Sequence, residues 1–228
     1  MLQYERMTEL QEAKRSRALF LLPHEIAHKL HKHGHTDVLT YTGGLDPVAG
    51  KHFRFCKLSA GDVPMVPIGL WGDGVPCNWD RTESVEVVSM NLPGQDGQRG
   101  PLRIPLVAIS KKDVGPNTMD DLMGVIAWSL RYLAAGVWPS SRHDGSALDG
   151  KRLNKKGSLG IRGALVEVRG DWLFFFPLMR SHFLATIPRL VVAGVAARLL
   201  LRFSTDTGYS FTGVPLQQTE TTMAANAS

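Results

Sequence analysis

Apolar residues gather in short bursts separated by glycine, proline and charge. The sharpest burst is Val66–Leu70, inside the stretch PMVPIGLWGDGVPCNWD over residues 64–80. It is β-branched at Val66 and Ile68, has Pro64 and Pro67 at its entry, and breaks at Gly72-Asp73-Gly74. A continuous apolar run closed by turn residues predicts a buried strand that delivers one carboxylate to its end. Glycine on each side leaves Asp73 uncrowded, so a metal ion or a phosphate has room to approach. The same three residues also suit a tight turn between two strands.

Two more strands follow at short spacing. Val85, Val87 and Val88 mark one over Glu83–Asn91, closed by Leu92-Pro93-Gly94. Leu102–Ser110 marks the next, where Pro105 argues for a sheet edge or a bulge. Short connections predict an antiparallel meander. The period then changes. Thr118 is a candidate N-cap with Asp120 and Asp121 behind it. Leu122, Val125, Ile126, Ser129, Leu130 and Leu133 share one face of a helix that stops at Gly136. Ile161–Val168 alternates apolar and polar, predicts a fourth strand, and leads through Arg169-Gly170 to Asp171. Two strands thus each run into a Gly-Asp pair.

Upstream, residues 5–22 mix charge with Leu10, Ala13, Ala18 and Leu19 and predict a helix. A second helix opens at Pro23 and stops at Gly34. Residues 36–63, with Gly43-Gly44, Asp46-Pro47 and Gly50, predict mostly loop and one short strand near His52–Leu58. The second helix contains His24-Glu25-Ile26-Ala27-His28, which fits the HExxH pattern of zinc peptidases. On a helix His24 and His28 stand one turn apart and can share a zinc ion, with Glu25 as general base. A third ligand is harder to place. The metzincin extension needs glycine at 31 and histidine at 34, where the chain has His31 and Gly34. His31, His33 and His35, interleaved with lysines, also suit a solvated basic face.

Net charge is +5 and the isoelectric point about 9.4, which permits a polyanionic partner. Lys151, Arg152, Lys155, Lys156 and Arg162 are the candidate phosphate contacts. Two cysteines, Cys56 and Cys77, exclude a disulfide scaffold, lack CxxC spacing and point to a reducing compartment. The opening MLQYERMTELQEAKRSR lacks the apolar stretch of a signal peptide, which predicts a nuclear or cytoplasmic location. Nothing in the sequence points to a small-molecule substrate.

In order and spacing, GLWGDGVP, VVSMNLPG, LRIPLVAISKKDVGPNTMDDL, a helix ending YLAAGVWP, and IRGALVEVRGDWLFF resemble the catalytic core of CACTA-type and Kyakuja-Dileera-Zisupton-type DDE transposases. The resemblance covers about residues 64–176 and rests on collinearity rather than on any one motif. It implies an α/β, RNase H-like fold, here partial: a mixed sheet of three antiparallel strands, a helix, and a fourth strand beside the first. It implies that Asp73 and Asp171 are the first two catalytic aspartates, that they hold Mg²⁺, and that the partner is DNA. In such enzymes two metals about 3.5–4 Å apart activate the attacking oxygen and stabilise the leaving one. Departures follow Asp171. The family continues into a Cys-x-x-Cys segment and a later third acid, whereas this chain has no cysteine after Cys77 and only Asp206 and Glu220 as later acids. The resemblance therefore implies a mobile-element-derived core that is catalytically incomplete. The alternative is a non-enzymatic remnant whose basic residues bind nucleic acid.

The pattern divides the chain into residues 1–60 (helix and loop), 61–176 (core), 177–203 (apolar and helical) and 204–228 (a Ser/Thr-rich tail without a pattern for order). From Phe183 to Leu201 the chain is almost apolar enough to span a bilayer, but Pro188, Arg189 and Arg198 interrupt it. Arginine near a span's centre costs roughly 2.5–3.5 kcal/mol on insertion scales, which argues against a membrane. Leu184, Ile187, Val191, Val195 and Leu199 instead form one stripe able to cover a sheet. Burying such residues contributes roughly 1.5–3 kcal/mol each before the entropy of ordering them. Removal of residues 177–228 is expected to give an insoluble or molten product by near-UV circular dichroism, and removal of 204–228 alone to change little; equal cooperative melting of both would show the apolar segment to be dispensable.

Overall fold

The computed structural model describes residues 18–79, 82–95, 102–115 and 117–170. These form helices α1 (Pro23–Lys32), α2 (Thr36–Thr40) and α3 (Pro47–Leu58), strands β1 (Met65–Pro76), β2 (Ser84–Asn91) and β3 (Arg103–Ser110), helix α4 (Thr118–Ala135) and strand β4 (Arg162–Gly170). The four strands make one mixed sheet in the order β3-β2-β1-β4. β1 pairs antiparallel with β2 from Gly69↔Asn91 to Pro76↔Ser84, and β2 pairs antiparallel with β3. β4 returns parallel to β1, from Met65↔Arg162 to Gly72↔Gly170. The meander is as the hydrophobic pattern predicts, and the fourth strand lies beside the first as the resemblance implies.

Pro105 behaves as its chemistry requires. Proline cannot donate to a ladder, and β3 is an edge strand with a register shift where Val107 and Pro105 face Val88 and Ser89. α4 ends on Gly136 in the left-handed conformation (φ 72°), whose N–H caps the carbonyls of Tyr132 and Leu133. Its N-cap is Asn117 rather than Thr118, and the Thr118 hydroxyl instead accepts from the Gly115 N–H at 2.8 Å.

Further expectations are corrected. Residues 36–63 are largely helical, and the strand predicted near His52–Leu58 is the second half of α3. Asp46-Pro47, taken as a loop signal, is a helix start: the Asp46 carboxylate accepts from the Val48 and Ala49 N–H groups, and Pro47 needs no donor in the first turn. Residues 18–22 are not helical; the Leu21 N–H bonds to Leu106 O at 2.8 Å on the β3 edge. The helix predicted for 5–17 lies outside the described residues, as does everything predicted for 171–228. Finally, β1 does not turn at Gly72-Asp73-Gly74 but continues to Pro76, with Asp73 opposite Val87. Glycine tolerates extended backbone as readily as a turn, and pairing with β2 decides the outcome.

Side chains alternate along β1. One side meets the helices: Val66, Ile68 and Leu70 pack with Ile126, Leu130 and Leu133 of α4, and Ala27 of α1 and Leu39 of α2 join the same core. α4 buries more than the predicted stripe, since Met123, Ala127 and Trp128 are buried as well. The other side is covered at the start of β1 and β4 by α3, where Phe53 packs with Met65 and Ala164. No helix among the described residues is long and apolar enough to cross a membrane.

Leu133 is fully buried and fills the space left by Gly163, where a Cβ would stand 2.9 Å from its Cγ. Leu133→Ala is expected to lower unfolding free energy by about 2–5 kcal/mol in urea titrations, because both the transfer and the cavity contributions are lost.

Candidate functional site

By the alternation of β1, Asp73, Trp71 and Gly69 face away from α4. This side is polar. Gly69 lies abreast of Asn91 on β2 and Glu167 on β4. Because Gly69 has no side chain, the Asn91 amide reaches across it and its Nδ2 donates to Glu167 Oε1 at 2.5 Å. A Cβ on Gly69 would sit 2.6 Å from both atoms. The other Glu167 oxygen accepts from Arg169 Nη2 at 2.7 Å. Asn91 and Glu167 are both buried. One step further along β1, Trp71 lies between Ser89 and Arg169, and the Arg103 guanidinium stacks 3.7 Å from its ring centre. Asn91 Oδ1 and Trp71 Nε1 are buried without a hydrogen-bond partner among the described residues. Asp73 follows, half-buried.

Asp73 and Glu167 do not form a metal pair. Glu167 is level with Gly69, four residues short of Asp73, which is about 13 Å along a strand. Its charge is also engaged by Arg169. Mg²⁺ prefers carboxylate oxygen and retained water, so Asp73 suits one ligand position. Among the described residues no group of three or more His, Cys, Asp or Glu gathers to hold a metal. Asp171 lies outside the described residues, and the last described rung before it is Gly72↔Gly170.

The predicted basic cluster is divided by the fold. Arg152 Nε and Lys155 Nζ bind Glu25 Oε1 at 3.0 and 3.3 Å, joining the 150–155 segment to α1. Arg162 donates to Ser59 O at 3.3 Å and packs against Gly136. It pairs with Met65, eight residues from Asp73 and about 26 Å away at the opposite end of β1. Lys151 and Lys156 are exposed. These cations do not surround Asp73.

The HExxH residues lie on α1, where the structure uses them for packing. His24 is buried, its Nδ1 2.7 Å from Ser129 Oγ, with Trp128 and Trp138 edge-on to its ring. His28 Nδ1 donates to Leu159 O at 2.8 Å, and its ring also meets Trp138. Burial alone would raise the Glu25 carboxyl, but Arg152 and Lys155 hold it below its usual value. A carboxylate so held is a poor base.

Asn91, Glu167 and Arg169 escaped the sequence reading as site residues. Their signals were a glycine inside a buried strand, which marks close approach of neighbours, and a glutamate breaking an apolar strand. The chain matches no protein-family model, no curated protein and no solved structure.

His24 makes acid sensitivity predictable. Burial lowers its pKa from 6.5 to about 4; Glu25 opposes the shift, and Arg152, Lys155 and His28 add to it. Below pH 6.5 the unfolded chain takes up a proton that the folded chain refuses. Stability present above pH 6.5 is therefore lost as pH falls towards 4, by about 3 kcal/mol in all. Urea unfolding across this range should show that loss, and His24→Gln should flatten it at the expense of lower stability near pH 7.

Proposed function

We propose that residues 64–176 are a partial RNase H-like core of DDE-transposase type, derived from a mobile element and catalytically incomplete. The observation that carries this reading is the last described rung of the β1–β4 ladder, Gly72↔Gly170, which consists of the residues just before Asp73 and Asp171. The sheet order β3-β2-β1-β4, antiparallel twice and then parallel, supports it. So does the long α4 between β3 and β4. In this reading Asp73 and Asp171 are the metal ligands and DNA is the partner, met in the nucleus or cytoplasm. Bound Mg²⁺ would supply positive charge beside a phosphodiester. Asp73 contributes a carboxylate fixed by strand pairing, and Trp71 with Arg103 forms a cationic aromatic surface beside it.

A second reading, DNA binding without metal chemistry, draws on the exposure of Lys151 and Lys156. In that case the two lysines contact phosphate from the helical side of the molecule, remote from Asp73.

The two readings separate on metal and on salt. The leading one expects Mn²⁺ binding in solution that weakens at least about tenfold in Asp73→Asn, by analogy with removal of a supporting carboxylate. Because the segment that follows Asp171 departs from the family's Cys-x-x-Cys pattern, supercoiled plasmid should remain unnicked by this chain in Mg²⁺; cleavage abolished by Asp73→Asn would instead show a complete enzyme. Metal-independent DNA binding that loses about two units of salt dependence in Lys151→Ala/Lys156→Ala would favour the second reading.

A further inference from the structure

β4 changes register against β1 partway along. Ile68 pairs with Leu165, yet Gly69 pairs with Glu167, so Val166 is an extra residue. Before this bulge Arg162 and Ala164 share a face with Met65 and Pro67, and Ala164 packs with Phe53 of α3. After it Glu167 and Arg169 share a face with Gly69 and Trp71. The bulge thus exchanges which residues of β4 face the Asp73 side. A β4 without the extra residue would pair Gly69 with Val166, Trp71 with Val168 and Asp73 with Gly170. It would bring a valine pair to the polar side and put sequence position 171 out of phase with 73.

Glu167 is the first residue after the bulge. It is held from both directions, by Asn91 across Gly69 and by Arg169 on its own strand. Asn91 is 2% exposed, and its amide reaches Glu167 only because position 69 has no Cβ. In the slipped register Val166 would face Asn91, and the amide would lose its acceptor. A buried amide without its acceptor, and a carboxylate turned to the apolar α4 face with only Arg169 of its own strand beside it, are costlier than the paired set, so the polar pair discriminates between registers that differ by one residue.

We infer that Asn91 and Glu167 are positioning residues for the Asp73 site: their hydrogen bond across Gly69 locks the bulge at Val166 and so fixes which β4 residues face the same side of the sheet as Asp73. The use of this register to pair Asp73 with Asp171 rests on the reading above; the lock itself does not.

Backbone nuclear Overhauser contacts in the full ¹⁵N-labelled chain test the lock, and Mn²⁺ broadening of the Gly72 and Gly170 amides tests what it serves. The native protein and Glu167→Gln, which keeps an acceptor for Asn91, should show Trp71 beside Arg169. Glu167→Ala and Asn91→Ala should replace that contact with Trp71 beside Val168 and weaken Mn²⁺ broadening about 10–100-fold. Either alanine variant folding with the Trp71–Arg169 contact intact would overturn the inference. Unfolding of both alanine variants, with full rescue by Glu167→Gln, would also overturn it by making the pair a requirement for stability rather than for register. A register slip in the variants, with no Mn²⁺ broadening in the native protein, would leave the lock standing and remove the two-aspartate reading.

Discussion

β1 is paired along both edges, antiparallel to β2 and parallel to β4, and what its side chains leave room for governs the rest of the molecule. A strand in this position ordinarily carries large apolar residues on both faces. This one carries Val66, Ile68 and Leu70 on the helical face, has Met65 and Trp71 on the other, and places glycine at 69, 72 and 74. Glycine weakens an isolated strand, because its backbone loses the most freedom on folding. Pairing on both sides offsets that loss, and in return position 69 admits two polar side chains from neighbouring strands into one small space.

The two faces are therefore different kinds of interior. Towards α4 the contacts are apolar and without direction, so volume and shape decide them. Towards Asp73 the contacts are directional. Glu167 carries a charge that burial alone would penalise, and its setting is acceptable because Asn91 and Arg169 satisfy both oxygens. Such groups add little net stability over apolar ones but penalise every alternative arrangement. An apolar face tolerates a slip better than this one does.

The same contrast explains the HExxH segment. His24 lies between Trp128 and Trp138 with Ser129 as its hydrogen-bond partner, while Glu25 one residue later is drawn outward by Arg152 and Lys155. Successive helix positions differ by about a third of a turn, so one residue serves the core and the next the rim. A zinc peptidase and a packed amphipathic helix ask for the same spacing. The fold has used the spacing to fasten α1 onto α4 and onto the 150–155 segment.

Local chemistry, written in the sequence, determined the strands, α1, α4 and the stop signals at Gly34 and Gly136, since periodicity and left-handed glycine act within a few residues. It also marked Pro105 as an edge or bulge residue and singled out Asp73. It misread Asp46-Pro47, whose two roles, loop and helix start, differ only in what the carboxylate finds to accept from. It placed Arg152 and Lys155 with phosphate because a cation's partner, here Glu25 more than a hundred residues earlier, is set by packing. The Asn91–Glu167 pair lay beyond it for the same reason: 76 residues separate the two, and only β1, with nothing at position 69, brings them together. Short-range preference was legible residue by residue; which polar groups would meet was decided by the strand order and by one extra residue in β4.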